Sequence, residues 1–309
     1  MRTARLSPHH RRGSALLISL WALAILSFAV FGAVQISSVR LDEDLARQRE
    51  ARALELAESG LAIASHPNVR RGESILQKEF SPYESFNANL GSEAARVQIN
   101  ACLADSKKRP ILERLFYLWG LRNAEIDIVI DSLADWVDTN DIKRINGAES
   151  AEYATDGKTN YPPNRPFESV EEMALVKNMN LLEKVKPDWR DYFTVWSDGK
   201  IDLNEASAEV ISAACNISLG QAQSLVSKRN GADAQPNTPD DVRYTDLNQI
   251  RIALGMAQQN FQSVAEHVTL ESSLRRITST GKVGPYQKTI SVLVRVSNQT
   301  IQYYEWLEQ

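Results

Sequence analysis

The sequence has few of the side chains on which metal, redox or hydrolytic chemistry usually depends. Its 309 residues include only 2 cysteines and 4 histidines, too few for a disulfide framework or a four-thiolate zinc site and without the spacing of a catalytic triad. A P-loop, a nucleophile elbow and a zinc-binding helix motif are also missing from the sequence. These absences argue against an enzyme. A hydrolase whose serines and aspartates assemble only in the fold is the enzymatic alternative.

Both cysteines lie among apolar neighbours, Cys102 between Ala101 and Leu103 and Cys215 after Ala214. This setting predicts two small buried side chains, and a disulfide between them is the alternative in an oxidising compartment.

The chain also has few glycines and prolines, and its charge is unevenly distributed. The 14 Gly and 11 Pro argue against long flexible linkers, and 43% hydrophobic with 24% charged residues is typical of globular proteins of two or three domains. Residues 1–13 carry four arginines and no acid, so a net charge of -4 leaves -8 on the remainder. An acidic body repels phosphate, which argues against DNA binding as the main function.

Residues 15–34 form an apolar run without a charge. As a helix, about 20 residues span the roughly 30 Å core of a bilayer. A signal peptide is the alternative, but its apolar region is shorter and a small-residue cleavage site follows it. Because Arg11 and Arg12 precede the run, the positive-inside rule predicts a cytoplasmic N-terminus and places everything after Arg40 on the other side of the membrane.

The helical pattern continues beyond the apolar run as far as Pro67. Leu54, Ala57, Leu61 and Ala64 recur at helical spacing. One helix of about 50 residues would be about 75 Å long. We expect its first half to anchor the chain and its second half to form the spine of a soluble domain, with Leu54 and Leu61 at the surface that contacts partner helices.

The N-terminal residues resemble a class III signal of the type IV prepilin and pseudopilin family. A basic leader precedes Gly13 and Ser14, and the apolar stretch follows at once. The resemblance implies that a prepilin peptidase cleaves between Gly13 and Ser14, with methylation as a further family modification. Ser14 stands where most members have phenylalanine or methionine.

Ile18 is a second departure, because most members have a glutamate at this fifth mature position. In the family that glutamate is thought to neutralise the terminal amine of a neighbouring subunit, and an unpartnered carboxylate in apolar surroundings is costly. Its absence resembles the K-type minor pseudopilin of type II secretion, which lies at the filament tip.

The body of the chain combines strand patterns at its two ends with helical patterns between them. Residues 67–91 read as a loop, residues 94–104 as a strand, and residues 289–308 as a terminal hairpin that turns near Asn298. The predicted fold class is α+β, a small α/β domain with an antiparallel sheet and a large inserted all-helical domain. The predicted segments are a leader (1–13), a transmembrane and spine helix (14–66), the first part of the α/β domain (67–107), the inserted helical domain (108–272) and C-terminal strands (273–309).

Three further segments, 135–153, 164–173 and 193–204, resemble K-type signatures in family order. The resemblance implies a minor pseudopilin that helps to initiate and cap the pseudopilus. It also implies the partners, namely I-type and J-type minor pseudopilins in a heterotrimer, the major pseudopilin filament, prepilin peptidase and the inner membrane.

The segment from Asp135 to Glu152 is rich in the oxygen ligands that Ca²⁺ prefers. K-type members bind calcium in their helical domain, so the resemblance implies a calcium site near Asp138, Asn140 and Glu149. The alternative is a solvated acidic loop that caps a helix.

Residues 201–207 also resemble the entry to the helix-hairpin-helix repeats of DNA-uptake proteins. Such hairpins use glycine turns that let backbone N–H groups approach phosphate. The turns at 178–181 and 216–219 have no glycine pair at this position, and Lys228 with Arg229 forms only a small basic spot. A membrane-anchored DNA-binding protein is therefore the second hypothesis, and we expect no nucleic acid partner.

Overall fold

The structure is a computed structural model that describes residues 12–236, 238, 240–297 and 300–308. The predicted leader thus lies largely outside the described residues. The helices are α1 (Arg12–Ala64), α2 (Ile99–Ala104), α3 (Arg109–Leu118), α4 (Asn123–Val137), α5 (Ser150–Thr155), α6 (Met179–Val185), α7 (Ala208–Cys215), α8 (Leu219–Arg229), α9 (Leu247–Ala253) and α10 (Gln258–Gln262). The strands are β1 (Gln77–Ser81), β2 (Glu84–Ser92), β3 (Val97–Gln98), β4 (Phe193–Thr194), β5 (Ile201–Asp202), β6 (Val268–Thr269), β7 (Leu274–Val283), β8 (Tyr286–Ser297) and β9 (Thr300–Glu308).

Helix α1 is 53 residues long, and its two halves have different surroundings. No proline interrupts it, because Pro67 is the first proline after the leader. In the N-terminal part of α1, which we call the outer half, side chains from Leu16 to Ile36 are almost all exposed. In the C-terminal part, which we call the inner half, Ala53, Leu56, Ala57 and Leu61 are buried. By length and composition the helix is able to cross a membrane.

The inner half of α1 packs against a five-stranded antiparallel sheet of order β1-β2-β7-β8-β9. Period-2 alternation directs Leu90, Ile277 and Val292 to the face that α1 covers. The sheet therefore joins strands from before and after the helical block. The predicted fold class is confirmed, since a long N-terminal helix, an antiparallel sheet and many helices are all present.

Two glycines permit the close packing of helix and sheet. A Cβ at Gly281 would lie 2.5 Å from the backbone nitrogen of Ala57, and one at Gly60 would lie 2.8 Å from Cδ2 of Phe86. By contrast, a Cβ at Gly32 in the outer half of α1 would meet nothing within 4 Å. The inner half of the helix is held in place because its backbone lies almost in contact with the backbone of the sheet at Gly281.

The helical block between β2 and β7 has its own core. Phe116, Leu133, Trp136, Trp189 and Phe193 are among its largest buried side chains. Short parallel pairs, β3 with β4 and β5 with β6, join its segments. We call this block the helical module, and α1 with the five-stranded sheet the sheet module.

A buried ion pair links the two modules. Arg276 in β7 donates two hydrogen bonds to Glu93, at 2.9 and 3.1 Å, and a third to Glu305 in β9 at 2.8 Å. Thr194 in β4 donates its hydroxyl to the same Glu93 at 2.6 Å. Every oxygen of Glu93 thus has a charge-assisted partner.

Two predictions about the first half of the body are wrong. The segment predicted as a loop contains β1 and β2, in which Phe86, Ala88 and Leu90 alternate toward the core. The strand predicted at 94–104 has only two residues, because the Gln98 side chain accepts a hydrogen bond from the Ala101 amide and so caps the start of α2. The terminal hairpin is present as β8 and β9, with its turn near Asn298 outside the described residues.

Both cysteines are buried and free, as the apolar neighbours predict. Burial raises the pKa of each thiol, of Cys102 and of Cys215, to about 12. They therefore remain protonated and act as small core side chains.

Candidate metal site and assembly surface

Three carboxylates meet where α4 ends and α5 begins. Asp135 lies in the last turn of α4, Asp138 is its C-cap residue, and Glu149 is the N-cap residue of α5. Each offers an oxygen that lies within 4.8 Å of the other two. We call these three residues the acidic cluster.

A glycine lets the loop between the helices return to this point. A Cβ at Gly147 would overlap the carboxylate of Asp135 and lie 3.1 Å from the backbone oxygen of Asp131. The loop is also held by Asn146, whose side-chain amide donates to Asp131 at 3.1 Å. The approach of Glu149 to α4 therefore depends on the absence of a side chain at Gly147.

Arg144 from the same loop neutralises part of the acidic cluster. Its guanidinium donates to Asp135 at 2.6 Å and also to Asp138, and its backbone amide donates to Asp135 at 3.1 Å. Burial still holds the pKa of Asp135 above its ordinary value, against the opposing effect of Arg144. One cation thus serves two carboxylates and leaves the third without a counter-ion.

Glu149 is that third carboxylate. It is 3% exposed, and both of its carboxylate oxygens are buried without a hydrogen-bond partner among the described residues. Burial, with the charges of Asp135, Asp138 and Asp141, raises its pKa to about 7. A buried, unpartnered carboxylate is costly, and a cation among these oxygens would remove that cost. The donor set therefore fits a hard divalent cation such as Ca²⁺.

The structure brings together two of the three predicted ligands. Asp138 and Glu149 belong to the acidic cluster, whereas the side chain of Asn140 is used within its own loop, where it accepts from the Ile142 amide at 2.8 Å and donates to Asp138 at 2.7 Å. Asp135 takes the remaining place. Its spacing of three residues from Asp138 along a helix puts both carboxylates on one side, a signal present in the sequence.

The outer half of α1 forms the second candidate functional region. Ile18 is 68% exposed, and Leu41 and Leu45 are exposed further along the helix. Gly13 and Ser14, the predicted cleavage position, lie in the first turn of α1. A continuous apolar helix surface of this kind suits lipid and neighbouring helices.

The prediction that Leu61 faces partner helices is wrong. Leu61 is 4% exposed and packs into the core between α1 and the sheet, and Leu54 is half-buried against the same core. The helical spacing of the apolar residues shows only that one side of α1 is apolar, and the chain's own sheet covers that side. The exposed surface available to partners lies nearer the N-terminus, at Leu41 and Leu45.

The geometry does not favour the DNA-binding hypothesis. Helices α7 and α8 are joined through Asn216, which takes the left-handed conformation that glycine takes in phosphate-binding hairpins. Arg229, half of the predicted basic spot, is buried and donates to the carbonyls of Leu203 and Ala206. A guanidinium used in this way is not available to phosphate.

Comparisons with known proteins agree with one another. The family model "Type II secretion system (T2SS), protein K" matches residues 86–187. Type II secretion system protein K of Pseudomonas aeruginosa is 25% identical over 217 residues, which are 67% of this chain and 63% of that relative. A crystal structure of the GspK-GspI-GspJ complex from enterotoxigenic Escherichia coli contains a chain of the same fold, with a TM-score of 0.60, 16% identity, and coverage of 88% of this chain and 99% of that chain.

Proposed function

We propose that this chain is a member of the type II secretion system protein K family and acts as a minor pseudopilin at the tip of the pseudopilus. It would help to initiate and cap the filament that drives export of folded proteins across the outer membrane. The observation that carries the proposal is α1, whose inner half is buried beneath its own sheet while its outer half exposes an apolar surface. That surface suits contact with lipid before the filament assembles and contact with neighbouring helices after assembly.

The membrane topology follows from the charges that flank the apolar run. Arginines precede it and Asp42, Glu43 and Asp44 follow it, so the chain would cross the inner membrane once with a cytoplasmic N-terminus and a periplasmic body. Prepilin peptidase would then cleave between Gly13 and Ser14 and leave the apolar helix in place.

N-terminal sequencing and intact mass of the membrane-extracted chain test this processing. We expect a mature chain that begins at Ser14, and no processing of a Gly13→Ala variant. A mature chain that begins at Met1, one that begins beyond Val34, or normal processing of Gly13→Ala would contradict the proposal.

The position of the helical module supports a place at the tip. Segment 67–76, which follows the far end of α1, contacts this module, and Arg71 pairs with Glu205 at 3.0 Å. Part of the module therefore contacts the segment that follows the end of the helix, where it would hinder another subunit from stacking above. Helices of I-type and J-type minor pseudopilins, and of the major pseudopilin below them, would pack beside the outer half of α1.

Ile18 gives this placement a direct test. A glutamate at this position would have no terminal amine above it to neutralise, so its carboxylate would only add cost in apolar surroundings. We expect Ile18→Glu to give no gain in secretion and no entry along the filament shaft. Repeated incorporation of the variant along filaments, where the unaltered chain is found only at the tip, would show that Ile18 prevents incorporation and would contradict a position set by the helical module alone.

Calcium is the cofactor that the acidic cluster fits. Asp135, Asp138 and Glu149 would hold the ion, which would supply the positive charge that Glu149 lacks. The three residues join the end of α4 to the start of α5, so binding would stabilise this part of the helical module. The proposed role is structural, in keeping with a function in assembly rather than catalysis.

A further inference from the structure

The two edges of the five-stranded sheet differ in how they are protected against pairing with another strand. Strand β1, at one edge, has five residues, among them Lys78, and its register against β2 shifts between Glu79 and Ser81. Short edge strands, lysine and bulges are devices by which proteins prevent such pairing. Strand β9, at the other edge, has nine residues and contains no lysine, arginine or proline. The β9 edge is therefore longer than the β1 edge and lacks its lysine.

One row of backbone groups along β9 is unpaired. The strand pairs with β8 on one side. On the other side, its backbone makes no hydrogen bond within the part of the chain that the structure describes. An extended segment presents N–H and C=O groups at the spacing that such a row requires, so a strand is the partner that satisfies the whole row.

A bulge places two exposed aromatic side chains on the same face of β9. The register against β8 shifts at Tyr304, so that Tyr303 lies opposite Val294. Beyond the shift, Trp306 lies opposite Val292. Both valines are buried on the side of the sheet that α1 covers. Tyr303 and Trp306 are 52% and 47% exposed, with ring centroids 6.0 Å apart. Because α1 lies over β2, β7 and β8, these two rings form an apolar strip beside the helix.

The charge of β9 is negative. Glu305 and Glu308 are its only charged residues. Glu305 accepts from Arg276, whereas Glu308 accepts from the Trp306 indole at 2.8 Å and has no cationic partner among the described residues. Pairing of β9 with the same strand of a second copy would bring acids together without a base. Lysine or arginine in an incoming strand would instead complement this charge.

We propose that the β9 edge binds an extended segment of another protein, in which apolar residues alternate with lysine or arginine. The segment would add a sixth strand to the sheet, with its backbone on the unpaired row of β9 and its apolar side chains beside Tyr303 and Trp306. In binding of this kind the main-chain hydrogen bonds provide affinity and the side chains provide specificity. This binding does not depend on the proposed place in the pseudopilus, because it concerns the single chain.

The test is calorimetric titration of the full chain, in neutral detergent micelles, with the peptide acetyl-Lys-Val-Lys-Val-Lys-Val-Lys-amide. One comparison peptide has every backbone nitrogen methylated, which keeps the charge but removes the donors that pair with a strand. The other has glutamate in place of each lysine. We expect the lysine peptide to bind, the methylated peptide not to bind, and the glutamate peptide to bind more weakly than the lysine peptide.

Three results would overturn the proposal. Equal binding of the methylated peptide would show attraction by charge alone. Equal or tighter binding of the glutamate peptide would contradict a basic partner. No binding of the lysine peptide would contradict strand addition at this edge.

Two aromatic side chains of nearly equal exposure provide matched variants. Trp306 on β9 is 47% exposed, and Phe80 on β1 is 48% exposed. Trp306→Lys should leave the melting temperature nearly unchanged and weaken the lysine peptide about tenfold, because it removes an aromatic contact and adds a like charge. Phe80→Lys adds the same charge at the other edge and should leave the affinity unchanged. Equal weakening by the two variants would contradict a site on β9.

Hydrogen exchange followed by mass spectrometry locates the added strand. The lysine peptide should slow exchange in residues 300–308 and leave residues 77–81 unchanged. Slower exchange in residues 77–81 alone would place the peptide at the wrong edge and overturn the proposal. Protection of residues 300–308 that rises with the concentration of the chain, without any peptide, would assign the edge to a second copy and would also overturn it.

Discussion

The two halves of α1 have one continuous backbone and opposite surroundings. The inner half places Gly60 and Leu61 against the sheet at near-contact distances, whereas the outer half exposes Ile18 and Leu45. Burial within the chain makes the inner half a determinant of stability. The exposed apolar half adds little to the stability of the single chain and remains available for lipid and partner helices.

Two buried glutamates show the same distinction for charge. Glu93 is 1% exposed and accepts from Arg276 and Thr194, whereas Glu149, nearly as buried, has no hydrogen-bond partner among the described residues and lies among other acids. A fully paired buried charge belongs to the architecture of the fold. The unpaired one is the carboxylate at which we propose that Ca²⁺ binds.

The largest expected effect comes from removal of the partner of Glu93. Arg276→Met should lower the free energy of unfolding by about 3 to 5 kcal/mol, because it leaves a buried carboxylate without its counter-ion. Urea unfolding of the full chain, followed by tryptophan fluorescence, measures the loss. Arg275→Met is the matched control on the adjacent residue, which makes no ion pair with any residue that the structure describes, and an equal loss in the control would contradict the structural role of the pair.

Truncation of a leucine in each half of α1 tests the helix comparison directly. Leu61→Ala should lower the free energy of unfolding by about 2 to 5 kcal/mol, since it opens a cavity beneath the sheet. Leu45→Ala should change it by less than about 0.5 kcal/mol, because this side chain is 46% exposed and lies outside the core. The same urea titration measures both variants, and similar losses would show that the outer half is also packed within the single chain.

Calcium should stabilise the folded chain through Glu149. A cation that binds only the folded state at about 100 times its dissociation constant adds about 2.7 kcal/mol. The melting temperature should therefore rise when Ca²⁺ is restored to a chelated sample, and the rise should be lost in Glu149→Gln. Glu168→Gln changes an exposed acid outside the acidic cluster and should keep the full rise, whereas no response in the unaltered chain would favour a solvated acidic loop.

Without calcium, stability should fall as the pH rises from about 4.5 to about 7. Glu149 has a pKa of about 7 in the folded chain against an ordinary value of 4.5, so the unfolded chain loses this proton first. For one such group, the free energy of unfolding falls by at most about 1.4 kcal/mol per pH unit. Unfolding of the unaltered chain and of Glu149→Gln across this range isolates it, because Asp202, whose pKa is raised by burial to about 6, contributes equally to both. Parallel pH profiles would contradict the altered pKa of Glu149.

Much of the architecture follows from local sequence signals. The uninterrupted helical pattern predicts α1, and the alternating C-terminal runs predict β8 and β9. Strands β1 and β2 were harder to predict, because β1 is exposed along its whole length and β2 mixes its apolar residues with asparagine and glycine. Those residues disfavour strands, and pairing with β7 outweighs that preference.

The candidate site was predictable only in part, for a similar reason. The acidic segment indicates carboxylate chemistry, and Asp138 with Glu149 is found in the acidic cluster. The positions of Arg144 and Gly147 depend on how the loop returns to α4, which spacing along the chain does not specify. Likewise, the apolar stripe that includes Leu61 does not reveal whether a partner or the chain's own sheet covers it.

The central proposal is that the exposed half of α1 packs against I-type and J-type minor pseudopilins, whereas its buried half does not. Its most direct test is photocrosslinking in inner membranes, with benzoylphenylalanine at Leu45 or at Leu61 and detection of I-type and J-type minor pseudopilins. We expect adducts with these partners from Leu45 and none from Leu61. Adducts from Leu61 as abundant as those from Leu45, or none from Leu45, would contradict the claim.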